Sequence, residues 1–145
     1  MKRNSALLLL LLLPLTVIAN DAQEMNPYNA LRDQAEQGLC KDLYEHGIYL
    51  EMTQCSYRLQ EDSEQKLKQQ LDLLNNALKT AGDTKRLALL AEEQAEWEKY
   101  RATRCRFRGL HVIPESRVYY DWLATCQAAE NYRRIETLDS EPGMP

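Results

Sequence analysis

The chain is 145 residues long, with 18 basic and 22 acidic side chains and a net charge of −4. Met1–Ala19 reads as an export signal carrying two of the basic residues and none of the acidic ones, so its removal takes the charge to −6. What remains is one domain, too short for two hydrophobic cores, and its acidity argues against a nucleic-acid partner. Four cysteines and only five glycines in an exported chain point to a small, disulfide-stapled all-α protein.

The signal has its three expected parts: charged Lys2 and Arg3, the apolar run Ala6–Leu13, and Val17-Ile18-Ala19 before the cleavage point. Ala6–Ala19 contains Pro14 and falls short of the roughly 20 residues a membrane-spanning helix needs. No cysteine follows that would accept a lipid. The expected location is the periplasm or the exterior, with no membrane insertion after cleavage.

Asn20–Gln37 is polar and interrupted by Asn26-Pro27, which predicts an irregular arm before or beside a short first helix. Ile48–Lys79 is the longest helical pattern, with Met52, Cys55, Leu59, Leu67, Leu71, Leu74 and Leu78 at spacings of three and four and a break near Ser63. Gly82 ends it, and Asp83 or Thr84 caps the next helix. That helix runs from Lys85 to about Arg106, with Leu87, Leu90, Gln94, Trp97, Arg101 and Arg104 on one stripe; Ala88, Ala91, Ala95 and Ala102 would admit a close neighbour. Arg106–Glu115 reads as a loop. Ser116 then caps a last helix with Tyr119, Trp122, Leu123, Cys126 and Ala129 on its apolar face. Residues 20–138 form the expected domain and 139–145 a disordered tail. The inferred architecture is an antiparallel hairpin of two long helices, with short N-terminal and C-terminal helices packed against it.

Cys40, Cys55, Cys105 and Cys126 contain no CxxC pair, which leaves zinc binding and thiol redox chemistry without their usual spacing. Two structural disulfides are expected. In the hairpin, Cys55 and Cys105 stand at levels differing by three residues, about 4–5 Å. This geometry prefers Cys55–Cys105, leaving Cys40–Cys126. The local set, Cys40–Cys55 with Cys105–Cys126, is also sterically possible, and chain entropy separates the two by only about 1 kcal/mol per bridge.

No catalytic pattern stands out, and no cofactor or metal is expected. His46 and His111 are 65 residues apart, and neither a nucleophile elbow nor a phosphate-binding glycine loop occurs. Glu92, Glu93, Glu96 and Glu98 are interleaved with Lys99 and Arg101, the pattern of a solvated helix face.

The most informative stretch is Gln94–Cys105, where Gln94, Trp97 and Arg101 share a face with Cys105 one turn further on. Read physically, the tryptophan is a buried anchor and its polar neighbours brace adjoining helices. The stretch resembles the Q-x-x-W-x-x-[FY]-R-x-x-x-C signature of the LprI-type lysozyme inhibitor family, with Tyr100 at the aromatic position. Glu51-Met52-Thr53-Gln54-Cys55 is similar to the family's E-M-x-x-C lead, and Leu67, Leu74, Cys126, Arg134 and Leu138 match further positions. The resemblance spans about Cys40–Leu138. Departures are Lys68, Leu71 and Ala102 at positions where the family carries Asn, Tyr and Asp, and Gly109–Pro114 in place of a Gly-Gly-Ser. The resemblance implies a helical, exported, non-catalytic protein that binds a lysozyme and blocks peptidoglycan hydrolysis.

Many lysozymes are strongly basic, so an acidic domain would be steered towards them. Arg106, Arg108 and His111 are the candidate partner-binding residues, placed to meet the carboxylate pair of a lysozyme cleft. Two alternatives use the same residues differently. One is an envelope or immunity protein that neutralises another exported enzyme or toxin. The other is a structural module exposing Tyr119, Tyr120 and Trp122, with self-association through that face.

Overall fold

A computed structural model describes residues 27–45 and 50–140; the signal, His46 and residues 141–145 lie outside them. The described residues form five helices and no strand: α1 (Pro27–Gln37), α2 (Lys41–Glu45), α3 (Glu51–Thr80), α4 (Thr84–Gly109) and α5 (Arg117–Asp139). The segment expected to be irregular is therefore helical from Pro27 onward. Proline suits the first helical position, where its missing N–H costs no hydrogen bond. Tyr28 and Ala35 give α1 its buried contacts.

The α3–α4 turn forms as its sequence predicts. Gly82 adopts φ 69°, the left-handed conformation that ends a helix. Asp83 caps α4 by accepting the Arg86 N–H at 3.0 Å, and Ser116 caps α5 by accepting that of Tyr119 at 3.1 Å.

Beyond the turn, α3 and α4 do not stay paired, because α5 lies between them. Hydrogen bonds from α3 to α5 join Thr53 to Asp121, Thr125 to Ser56, Gln60 to Gln127, Asn131 to Ser63 and Gln70 to Asp139, a nearly constant separation of 67–69 residues. Constant separation means the two helices run parallel. Contacts between α4 and α5 run the other way, Arg134 meeting Gln94 while Arg101 meets Asn131 and Arg104 meets Glu130. The bundle is thus up-down-up, with α5 as its central helix. Asp121, Ala124, Thr125, Cys126 and the run Ala128–Asn131 are all buried, which takes in several sides of α5. Ala124, Ala128 and Ala129 are small enough for neighbouring helices to approach closely. The four alanines of α4 expected to play that part face solvent instead.

This arrangement corrects the disulfide assignment. The bridges are Cys40–Cys55 and Cys105–Cys126, with Cα separations of 5.5 and 5.6 Å; the preferred Cys55–Cys105 and Cys40–Cys126 set does not form. Cys55 packs with Ala128 in one apolar cluster, whereas Cys105 packs with Cys126 and Ala129 in another. The body of α5 separates the two thiols that a simple hairpin would juxtapose. A third cluster, built from Leu67, Leu74, Leu78, Leu90 and Leu138, closes the far end where α3 and α4 do meet.

The α3–α5 seam is polar. Ser63, at the break in the leucine pattern, is fully buried and accepts from Asn131 at 2.9 Å. Asp121 is buried at the other end of the seam, accepting from Thr53 at 3.2 Å through one oxygen while its second has no hydrogen-bond partner among the described residues. Burial raises its pKa above the usual 3.8, against the opposing pull of Thr53, Arg32 and Arg117. An acid whose pKa is raised on folding stabilises least above its folded pKa, because the unfolded chain ionises more readily there. Asp121→Asn is therefore expected to melt higher than wild type at pH 7, with the difference vanishing as pH falls to about 3.8. Melting curves across that range check this, and a pH-independent difference would contradict it.

Candidate functional site: the α4–α5 face and its end

Helix α4 presents the signature residues inward at i, i+3 and i+7. Gln94 accepts from Arg134 Nε at 3.2 Å and donates to Glu98 at 3.3 Å. Arg134, 4% exposed, also pairs with Glu93 at 2.8 Å. The guanidinium groups of Arg101 and Arg134 lie 5.0 and 5.9 Å from the centre of the Trp97 ring, so one aromatic face system holds two cations. Arg101 donates to Asn131, and Asn131 donates on to Ser63, which donates to the Gln60 carbonyl. A single hydrogen-bonded line thus crosses from α4 through α5 to α3. Gln94, Trp97, Arg101 and Arg134 are brought together as a brace. Tyr100 does not join them: it is 52% exposed on the outer face, with Arg104 6.0 Å from its ring.

A second brace sits lower. Glu130 is buried and accepts from Arg104 at 2.7 Å and Arg133 at 2.6 Å. Its hydrogen bond is the main reason the Arg104 guanidinium is held protonated even more firmly than usual. Tyr28 packs edge-on to Trp122 and lies beneath Arg108, 4.6 Å from the ring centre, which ties α1 to the end of α4.

The three candidate contact residues are on one end of the molecule but in different settings. Arg106 and Arg108 are not in a loop; α4 continues to Gly109, and both occupy its last turn, where cations favour the helix dipole. Arg106 is exposed. Arg108 is half-buried over Tyr28. His111 packs edge-on to Trp122 at 4.8 Å and its Nδ1 contacts the Arg108 carbonyl. Trp122 is half-buried beside His111 and Tyr119 is half-buried against Gly109, so only Tyr120 of the candidate aromatic patch is exposed. Asp139, expected to open the tail, instead closes α5 and accepts from Gln70; residues 141–145 of that expected tail lie outside the described residues.

A groove between α1, α3 and α5, about 470 Å³, contains two carboxylates, Asp62 and Glu136. Burial pushes Asp62 up, but hydrogen bonds from Lys66 and Tyr132 outweigh it and hold the carboxyl below its ordinary range. A carboxylate kept ionised in this way is a poor proton donor. Among the described residues, no three His, Cys, Asp or Glu side chains are grouped to hold a metal ion, and no helix is long and apolar enough to cross a membrane.

The family profile described as "Lysozyme inhibitor LprI" matches residues 40–138, from the first cysteine through all of α3 and α4 to Leu138 of α5. The chain belongs to the LprI lysozyme inhibitor family. Neither a search of curated proteins nor a search of solved structures finds a match. The matched range of this LprI-family chain takes in both disulfides and both braces that hold α4 against α5.

Proposed function

We propose that this chain is an exported inhibitor that binds a lysozyme and blocks its peptidoglycan-cleaving site, acting in the periplasm or outside the cell after removal of Met1–Ala19. Membership in the LprI family across the bundle is the observation that carries this reading. Charge supports it. The chain is acidic overall, yet Arg101–Val118 holds five arginines and a single acid, Glu115. An acidic body suits the basic exterior of many lysozymes, and a cationic end suits a cleft whose chemistry depends on two carboxylates. Arg106, Arg108 and His111 lie at that end, with Arg106 and His111 exposed and Arg108 half-buried.

The test is lysis of bacterial cell walls by a panel of animal and bacterial lysozymes with the oxidised Asn20–Pro145 protein at low and physiological salt. Saturable inhibition of at least one class is expected, with the association rate falling as salt rises because exposed charges steer the encounter. Salt-independent association would remove the electrostatic part of the account.

A further inference from the structure

We propose that the outer face of α4 at its C-terminal end, carrying Tyr100, Phe107 and Leu110 with Ile113 just beyond, is the wedge that enters the carboxylate-lined cleft of the lysozyme. This rests on the inhibitor reading above and adds the residues that anchor it.

Phe107 lies two helical turns after Tyr100 and Leu110 three residues further on, so they share a face. That face is opposite the one holding Gln94, Trp97, Arg101 and Cys105. Ile113, Phe107 and Leu110 are 77%, 73% and 71% exposed, the three most exposed large apolar side chains among the described residues, and all fall within seven residues. None belongs to the three core clusters. Scattered surface hydrophobics need no explanation, but a contiguous group does.

The group is also held firmly. Cys105, one turn before Gly109, is bridged to Cys126 on α5. Gly109 packs so closely on Tyr119 that a Cβ there would stand 2.7 Å from the ring. Arg108 is seated over Tyr28. A wedge fixed in advance loses little conformational entropy on binding.

Charge selects the occupant. Arg106 and Arg117, both exposed, adjoin the apolar group, and aromatic side chains beside arginine are the usual make-up of interface anchors. Two copies of this end would bring arginines against arginines, which disfavours self-pairing. A concave partner surface bearing carboxylates is complementary, and a glycosidase cleft provides one because hydrolysis there requires a pair of them.

The test compares wild type with Phe107→Asp/Leu110→Asp, with Arg106→Glu/Arg117→Glu, and with the distant control Leu73→Asp/Leu89→Asp, whose residues are 65% and 54% exposed. Affinity for a lysozyme that the wild type inhibits is read by calorimetry, and melting curves confirm folding. The first variant is expected to weaken binding at least ~100-fold, the scale on which central interface anchors act. The charge reversal is expected to weaken it at least ~10-fold at low salt, and the control less than about threefold. An N-acetylglucosamine oligosaccharide that fills the cleft should displace the wild type. If the apolar variant binds as wild type does, the wedge is wrong while the inhibitor reading stands. If wild type binds no lysozyme of the panel, both fall. Wild-type self-association that the apolar variant abolishes, with lysozyme affinity unchanged, would assign the face to a second copy and overturn the proposal.

Discussion

Replacing Cys105 and Cys126 together with serine is expected to lower the melting temperature by roughly 10–15 °C and to abolish inhibition. The bridge closes a 21-residue loop, worth about 3 kcal/mol of unfolded-state entropy. That is a large share of the roughly 5–15 kcal/mol that holds a domain of this size together, and each kcal/mol moves the melting point by several degrees. Function should suffer beyond stability, because this bridge joins α5 to the turn of α4 just before the exposed apolar group. The Cys40–Cys55 bridge closes a 15-residue loop at the start of α3, and its loss should cost a similar ~3 kcal/mol. It leaves the α4–α5 clamp intact, so that double variant should still inhibit below its melting temperature. Melting curves and lysis assays on the two pairs distinguish the roles. Equal loss of inhibition at a temperature where both variants are folded would contradict the assignment of the clamp to Cys105–Cys126.

The second large effect is expected at Asn131. Its side chain is completely buried and connects Arg101 on α4 to Ser63 on α3. Asn131→Ala removes the acceptor from a half-buried guanidinium whose Nε already lacks a partner among the described residues, and it opens a cavity in the central helix. Lost hydrogen bonds to a charged group together with the cavity put the cost at about 3 kcal/mol. Arg101→Ala should cost less, since its stacking on Trp97 is shared with Arg134. The double variant should fall short of the sum by at least ~1 kcal/mol, the mark of a connected network. Chemical denaturation of the four proteins measures this, and strict additivity would show that the line through Asn131 carries no coupling.

Much of the helical framework was legible because its signals are local. Leucine spacing, Gly82, Asp83 and Ser116 act within one or two turns, and α3, α4 and α5 lie close to where those residues predict. The misreading of the disulfides has a cause that is not local. The disulfide pairing was ranked on a hairpin whose helices stay adjacent, whereas α5 inserts between them. Nothing in the spacing of α5 announces a central position, because its interior contacts are made by Thr125, Glu130, Asn131 and Arg134 as much as by apolar residues. A short first helix was expected but its bounds were not read, because only Tyr28 and Ala35 of the eleven residues of α1 are buried, too few for a periodic pattern. Of the candidate site, the brace residues Gln94, Trp97 and Arg101 were legible from their shared helix face, whereas the exposed apolar group near Arg106, Arg108 and His111 went unremarked. Once Trp97, Arg101 and Cys105 are set inward, the helical period turns Phe107 outward, so an apolar residue on the solvent side was already a signal.

Inhibition of a lysozyme through occupation of its cleft is the function proposed for this LprI-family chain. The most direct measurement is the rate at which a susceptible lysozyme solubilises purified peptidoglycan as the oxidised protein is titrated in, at several substrate concentrations. The account predicts a rate falling to near zero around one inhibitor per enzyme, with inhibition relieved competitively by excess substrate. A rate that is unchanged at large molar excess, or inhibition that substrate cannot relieve, would contradict it.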